Sequence, residues 1–251
     1  MSSRTIEPVT DRLLNVEELR ARLRKVGEQR YHHQHPFHVL MHEGKLTRGQ
    51  LQAWALNRYY YQSRIPIKDA IILSRSDDPN FRRAWRKRVL DHDGENTPEG
   101  GIERWIRLAE ATGLTRGRVI SCHEVLPAVR YAVDAYLDLV RSRPLLEAVA
   151  SSLTELFSRD LISLRMDALR QHYPWLAGGL DYFVARLDQA PADAQFAFQF
   201  VADHAHTYAE QERAINALRE KCEILWAQLD ALYYSYVQPG WPPPGAFRPE
   251  E

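Results

Sequence analysis

Helical periodicity runs through almost the whole chain and constrains its fold more than any other feature. Apolar residues recur at spacings of three and four, as in the C-terminal stripe of Leu218, Cys222, Leu225, Leu229 and Leu232. Signals for strands are sparse, because no Asn-Gly or Asp-Gly pair joins two alternating runs and β-branched clusters are few. These patterns predict an all-α protein.

The 251 residues suffice for one large domain with a sizeable core. We expect a single all-α domain of seven or more helices over residues 1–237, followed by an irregular proline-rich tail over 238–251. In the second half, the periodicity predicts an unbroken helix over 144–171, a short one over 180–187 and a very long one over 192–236.

The charge balance and cysteine count exclude several classes of protein. Lys and Arg number 33, as do Asp and Glu, so the zero net charge favours neither nucleic acid nor membrane. No apolar run reaches 18 residues, and MSSRTIEPVTDRLL lacks the layout of a secretion signal. Cys122 and Cys222 are far apart, which predicts two unpaired thiols. We therefore expect a cytoplasmic protein without nucleic-acid or membrane partners.

One predicted helix has an unusual inward face. In NRYYYQSRIPIKDA, helical spacing places Arg58, Tyr61, Gln62 and Ile65 on one side. Buried polar groups are unfavourable unless they have hydrogen-bond partners. Either the protein itself or a polar ligand must satisfy this face.

Further polar stripes occur on other predicted helices. They comprise Arg88 with His92, Tyr182 with Arg186, and the line Thr154, Glu155, Ser158, Ile162 and Arg165. Each stripe alone is more typical of packing or of a solvated surface. If they face one another, they form a polar cavity in which arginines bind carboxylates and His or Tyr transfer protons. This combination predicts a small polycarboxylate ligand and acid–base chemistry.

Sequence signals for cofactors are weak. His38 and His42 have the spacing of a metal-binding pair, but a di-iron bundle would also need Glu-x-x-His motifs, which are missing from the sequence. The sequence also has no Gly-rich phosphate loop, dinucleotide fingerprint or nucleophile elbow. We expect neither a metal site nor a nucleotide cofactor.

Six motifs carry a resemblance to a known family. RYHHQHPFH, NRYYYQSRIPIKDA, LDHDGENTPEGGIERW, LPAVRYAVDAYL, SSLTELF and QHYPW, in that order, closely resemble the pyrroloquinoline-quinone (PQQ) synthase, or PqqC, family. The similarity extends from about residue 19 to 236. It implies the compact seven-helix fold shared with heme oxygenases and TenA proteins, a homodimer, and a catalytic domain over 1–237.

The resemblance also implies an activity. A bicyclic precursor with amino and carboxylate groups would undergo the final ring closure of PQQ biosynthesis. Dioxygen would then oxidise it in a multi-electron reaction that releases hydrogen peroxide, without a metal or organic cofactor. An electron-rich quinol can pass single electrons to dioxygen, and arginines would stabilise the anions that form.

Site residues follow from the matched motifs. Similarity implies a proton-transfer and oxygen-handling group of His92, Tyr182 and Arg186. It implies substrate binding by Tyr31, His32, Arg58, Gln62, Lys68, Arg88, Tyr136, Thr154, Arg165 and Lys221.

The chain departs from the family pattern at two places. Ile162 stands where family members commonly have an active-site histidine, and isoleucine cannot shuttle a proton. The segment LAGGLDYF after QHYPW is one residue shorter than the pattern, which affects the alignment of Tyr182 and Arg186, although their i, i+4 spacing supports it.

Three other functions are compatible with such a chain. The first is a carrier that holds the quinone without oxidising it, an interpretation for which Ile162 gives the only support. The second is a thiaminase-like hydrolase, which requires a cysteine nucleophile in the cavity. The third is a di-iron oxidase, which requires a metal site.

Overall fold

The computed structural model describes residues 12–249, with backbone alone for 158–160. Residues 1–11 and 250–251 lie outside the described residues, and they include most of the segment MSSRTIEPVTDRLL and the end of the predicted tail. Within 12–249 the chain forms eleven α-helices. They are α1 (Val16–Arg30), α2 (Pro36–His42), α3 (Arg48–Leu73), α4 (Pro79–Asp93), α5 (Gly101–Ala111), α6 (Arg116–Ser121), α7 (Pro127–Ser142), α8 (Leu145–Ala150), α9 (Ser158–His172), α10 (Asp181–His204) and α11 (Tyr208–Tyr236).

The ends of the long helices are set by local sequence. Thr47 and Thr207 accept hydrogen bonds from the backbone three residues on, and Gln50 and Glu210 return the bond, so both α3 and α11 begin with a capping box. Prolines occupy the first turns of α2, α4 and α7, where a missing backbone N–H is tolerated.

The all-α prediction is confirmed, but the expected number of seven helices is too small for residues 12–249. The segment predicted as one helix over 144–171 is interrupted by a 3₁₀ helix, Ser151–Phe157, between α8 and α9. Its tighter winding turns Ser152, Thr154 and Glu155 towards the interior. Periodicity alone misses this change because the apolar spacing continues across it.

The predicted break near residue 190 is wrong. Pro191 lies inside α10, which continues to His204, and the chain breaks instead at residues 205–207. A helix can accommodate a proline at the loss of one backbone hydrogen bond. The capping box at Thr207 marks the true start of the last helix.

One connected core joins these helices. Helix α3 packs against α4, α5 and α7, and α11 packs against α1, α7 and α8. Asn57 shows how a buried polar group is satisfied internally: its side chain donates to the Ala53 carbonyl (2.9 Å) and accepts from the Leu126 backbone N–H (2.8 Å). In the described part of the chain, no helix is long and apolar enough to cross a membrane.

The proline-rich segment packs onto the domain. Residues 238–249 contain no helix or strand, yet Phe247 is buried. Its N–H donates to the Glu124 carbonyl (2.9 Å), and its carbonyl accepts from the Tyr236 hydroxyl (3.0 Å).

Candidate active site

A polar cavity lies between α3, α4, α7, α9, α10, α11 and the 3₁₀ helix. The space open to water within it is about 120 Å³. It is lined by Tyr31, His32, His38, Trp54, Asn57, Arg58, Tyr61, Gln62, Ile65, Lys68, Arg88, His92, Trp105, Val129, Tyr136, Ser152, Thr154, Glu155, Ile162, Arg165, Tyr182, Phe183, Arg186, Gln228, Leu229 and Leu232.

The structure brings the polar stripes together. The lining includes all the sequence-predicted site residues except Lys221, which lies directly behind Tyr136, with its Nζ 3.3 Å from the ring centroid. Tyr182 and Arg186 both line the cavity, so the shorter preceding segment does not displace them. Ile162 also lines it, whereas the side chain of Ser158 lies outside the described residues.

At one end of the cavity, a carboxylate bridges two arginines from different helices. Glu155 Oε1 accepts a hydrogen bond from Arg186 Nη2 (2.9 Å), and its Oε2 forms an ion pair with Arg88 Nη1 at 2.8 Å. Behind them, Asp193 lies 3.8 Å from Arg88 and 3.4 Å from Arg186. Both guanidiniums are thus charge-compensated, and these ion pairs hold the pKa of Arg88 well above its ordinary value despite desolvation.

Lys68 is also compensated. Its ammonium contacts Asp69 (2.5 Å) and donates to Ser152 Oγ (3.2 Å). Asp69 is fully buried and is also 3.3 Å from Arg88 Nε. Desolvation acts to raise the pKa of Asp69, but Lys68 and Arg88 lower it more, so the carboxylate stays charged. We refer to Lys68, Asp69, Arg88, Glu155, Arg186 and Asp193 as the paired end.

A second group of cations, in or directly behind the lining, has no carboxylate partners among the described side chains. Arg58 lies over Tyr61, with its Cζ 4.0 Å from the ring centroid, and Arg165 contacts His38 Nδ1 (3.1 Å). Lys221 is 1% exposed, and its ammonium lies 3.3 Å from the ring centroid of Tyr136 without a hydrogen-bond partner among the described residues. We refer to Arg58, Arg165 and Lys221 as the unpaired end.

The electrostatics of the unpaired end reflect this lack of counter-charge. Desolvation and the nearby cations Arg58 and Lys68 lower the pKa of Lys221 well below its ordinary value. Desolvation and Arg58 lower the pKa of Arg165 to about 10. A bound carboxylate would reverse both effects, because an opposite charge favours the protonated cations. This end is therefore built to receive an anion.

His92 lines the cavity, and one of its ring nitrogens has no hydrogen-bond partner among the described residues. Its Nδ1 lies 3.0 Å from the Arg88 carbonyl, which can only accept, so Nδ1 carries the hydrogen. Nε2 is buried without a partner among the described residues, leaving a lone pair that can accept a proton.

His92 and Tyr182 both lie close to the start of α5, which follows a turn that only Gly100 fits. A Cβ at Gly100 would lie 2.2 Å from the His92 carbonyl oxygen, so any other residue would push the DHDGENTPEGG turn away. A Cβ at Gly101 would meet His92 Cδ2 at 3.4 Å and Tyr182 Cε2 at 3.5 Å. The Tyr182 hydroxyl donates to Gln62 Oε1 (3.1 Å). This arrangement suits proton transfer.

The burial of neutral His92 predicts sensitivity to acid. Desolvation, with a smaller effect of Arg186, lowers its pKa to about 4, whereas the unfolded chain takes up the proton near 6.5. Between these pH values only the unfolded state binds this proton, so His92 lowers the free energy of unfolding as the pH falls, by at most about 3 kcal/mol. In urea titrations from pH 7 to 4, the wild type should lose stability more steeply than His92→Asn. An equal loss of unfolding free energy in both proteins would contradict the interpretation of His92 as a buried, neutral side chain.

Sequence reasoning missed several residues in and around the cavity. It treated His38 as a possible metal ligand, but its Nδ1 lies 2.9 Å from the His32 carbonyl and its ring packs at 4.8 Å from that of His32. It left Asp69 and Asp193, the counter-charges of the paired end, unnoticed. Their position opposite cations depends on contacts between helices, which spacing along one helix does not show.

Comparison with known proteins identifies the family. The family model described as TENA/THI-4/PQQC matches residues 20–231. The chain belongs to this family. It is 53% identical over 251 residues to a pyrroloquinoline-quinone synthase of Granulibacter bethesdensis, covering 100% of this chain and 98% of that protein. It is 57% identical over 236 residues to a pyrroloquinoline-quinone synthase of Acidiphilium cryptum, and the match covers 94% of this chain and 96% of that protein.

Membership in the TENA/THI-4/PQQC family agrees with the fold. A solved domain of unknown function with a heme oxygenase-like fold, from Shewanella denitrificans, superposes with a TM-score of 0.74 over 94% of this chain and 99% of that one, at 13% identity. This likeness confirms the predicted architecture. The resemblance inferred from the six motifs is confirmed as well.

The geometry also bears on the competing interpretations. Neither Cys122 nor Cys222 lines the cavity, and desolvation raises the pKa of Cys222 to about 12, so neither is placed as a nucleophile there. Over the described residues, no group of three His, Cys, Asp or Glu side chains is arranged to hold a metal ion.

Proposed function

We propose that this protein is an oxidase of PQQ biosynthesis that closes the last ring of a bicyclic amino-carboxylate precursor and oxidises it with dioxygen. The identity of 53–57% to pyrroloquinoline-quinone synthases over nearly the whole chain carries the proposal. The convergence of cationic and proton-carrying side chains on one cavity supports it. The protein acts as a cytoplasmic homodimer, without a metal or organic cofactor.

The unpaired end binds the carboxylates of the precursor. Arg58 and Arg165 supply planar guanidiniums, which recognise carboxylates through two parallel hydrogen bonds. Lys221 adds positive charge from behind Tyr136. Because this end lacks carboxylate partners among the described side chains, the full cationic charge acts on the ligand.

His92 and Tyr182 carry out proton transfer. His92 Nε2 accepts a proton from a hydroxyl of the reduced ligand, and this raises the electron density of the ring. In each two-electron oxidation, the ligand gives two electrons and two protons to dioxygen, which becomes hydrogen peroxide. Arg186, held by Glu155, stabilises the negative charge that develops on the reduced oxygen.

Mixing with the precursor in the absence of oxygen, followed by addition of air, tests this function. We expect the anaerobic mixture to form a complex without PQQ, and air to produce the PQQ chromophore together with hydrogen peroxide. A carrier protein would bind the ligand but consume no oxygen, and that result would refute the proposal. Metal analysis of the active protein is the test against a di-iron oxidase.

A further inference from the structure

Glu155 is the only carboxylate among the described residues that line the cavity. It lies on the 3₁₀ helix, and its side chain is 15% exposed. A negative charge should weaken the binding of a polyanionic ligand unless it has a purpose there. Such a residue in a cavity with five lining cations needs an explanation.

Neutralising the two arginines accounts for the charge of Glu155 but not for its position in the cavity lining. Asp193 already contacts both guanidiniums from outside the lining, at 3.8 Å from Arg88 and 3.4 Å from Arg186. Glu155 adds a second carboxylate on the cavity side. Arg88, Arg186, Glu155 and Asp193 together carry no net charge.

The charge of the cavity is therefore divided. The unpaired end attracts carboxylates. The paired end is close to neutral overall, so it attracts anions only weakly, and its one carboxylate in the lining is that of Glu155. A group that suits the paired end is neutral or positively charged and donates hydrogen bonds. A protonated amine has both properties, since an ammonium carries three donors and no acceptor.

We propose that Glu155 receives the amino group of the ligand and thereby fixes which way round the precursor binds. This inference rests on the proposed function, because it takes the precursor to be an amino-carboxylate. Glu155 holds the nitrogen, and the carboxylates reach Arg58 and Arg165, which have no carboxylate partner among the described side chains. The site thus distinguishes the precursor from PQQ, in which the nitrogen has become part of a ring.

The test compares two ligands in the full-length Glu155→Gln variant. Precursor, without oxygen, and PQQ are titrated separately and followed by absorbance. We expect the affinity for precursor to fall about tenfold to a hundredfold, as for loss of a hydrogen bond to a charged group. The affinity for PQQ should not fall, because the released arginines become available to its carboxylates. A purely structural role of Glu155 would weaken both ligands together.

Asp193→Asn is the matched control, because Asp193 contacts the same arginines from outside the lining. It should lower the affinity for precursor clearly less than Glu155→Gln does, and an equal loss would contradict the inference. Glu155→Asp, which keeps the charge, should recover part of the lost affinity and guards against misfolding of the glutamine variant. Equal losses for both ligands in Glu155→Gln, or no loss for precursor, would overturn the inference. Wild-type protein that binds neither ligand would instead refute the proposed function itself.

Discussion

Replacement of Lys221 by methionine should stabilise the folded protein while impairing its binding of carboxylate ligands. Lys221 is 1% exposed, and its ammonium has no carboxylate partner among the described side chains. Desolvation of this charge therefore lowers the free energy of unfolding, and no ion pair offsets the loss. An apolar side chain of similar length removes that penalty, and we expect the free energy of unfolding to rise by about 1–4 kcal/mol. Urea denaturation would measure it. PQQ affinity should fall about tenfold to a hundredfold in a parallel titration.

Arg88→Met is the matched comparison at the paired end. Here the cation has carboxylate partners, and its removal would leave Glu155 and Asp69 buried with one fewer counter-charge each. We expect destabilisation of about 3–5 kcal/mol, the usual result of breaking a buried ion pair. The two substitutions should therefore act in opposite directions on stability. Loss of stability in Lys221→Met comparable to that in Arg88→Met would show that the two ends of the cavity do not differ as described.

His92→Asn should slow the oxidation of bound precursor by about a hundredfold to ten-thousandfold, the usual range for loss of a positioned proton acceptor. The amide cannot take up a proton, whereas Arg58 and Arg165 still bind the carboxylates. The complex should form normally and persist as a coloured, quinol-like intermediate. Rapid-mixing absorbance measurements after addition of air would give the rate, and an equilibrium titration would give the affinity.

Arg186→Ser provides a second variant in the same group. It should also stall after binding, because the arginine stabilises charge on the reduced oxygen rather than holding the ligand. Oxidation at the wild-type rate in both variants would refute their assignment to proton and oxygen handling. A large loss of affinity in His92→Asn would instead indicate that His92 is mainly a binding residue.

Much of the site could be predicted from spacing within single helices. Arg58 and Gln62, like Tyr182 and Arg186, share a face because side chains four residues apart lie above one another on a helix. This regularity depends only on backbone geometry and survives any tertiary arrangement. It failed at residues 151–157, where a 3₁₀ helix replaces the α-helical spacing, and at Pro191, where the surrounding packing holds a continuous helix.

By itself, the sequence determined the all-α class and the polar helix faces, because these follow from residue type and helical period, and its six motifs indicated the family by resemblance. Only the tertiary structure decided which cations have counter-charges. Asp69 neighbours Lys68 in the chain, but Asp193 reaches Arg88 from another helix, and Lys221 is left without a carboxylate among the described side chains. Ion pairing falls off with distance in space and is insensitive to separation along the chain, so the division of the cavity into two ends emerges only when the helices pack.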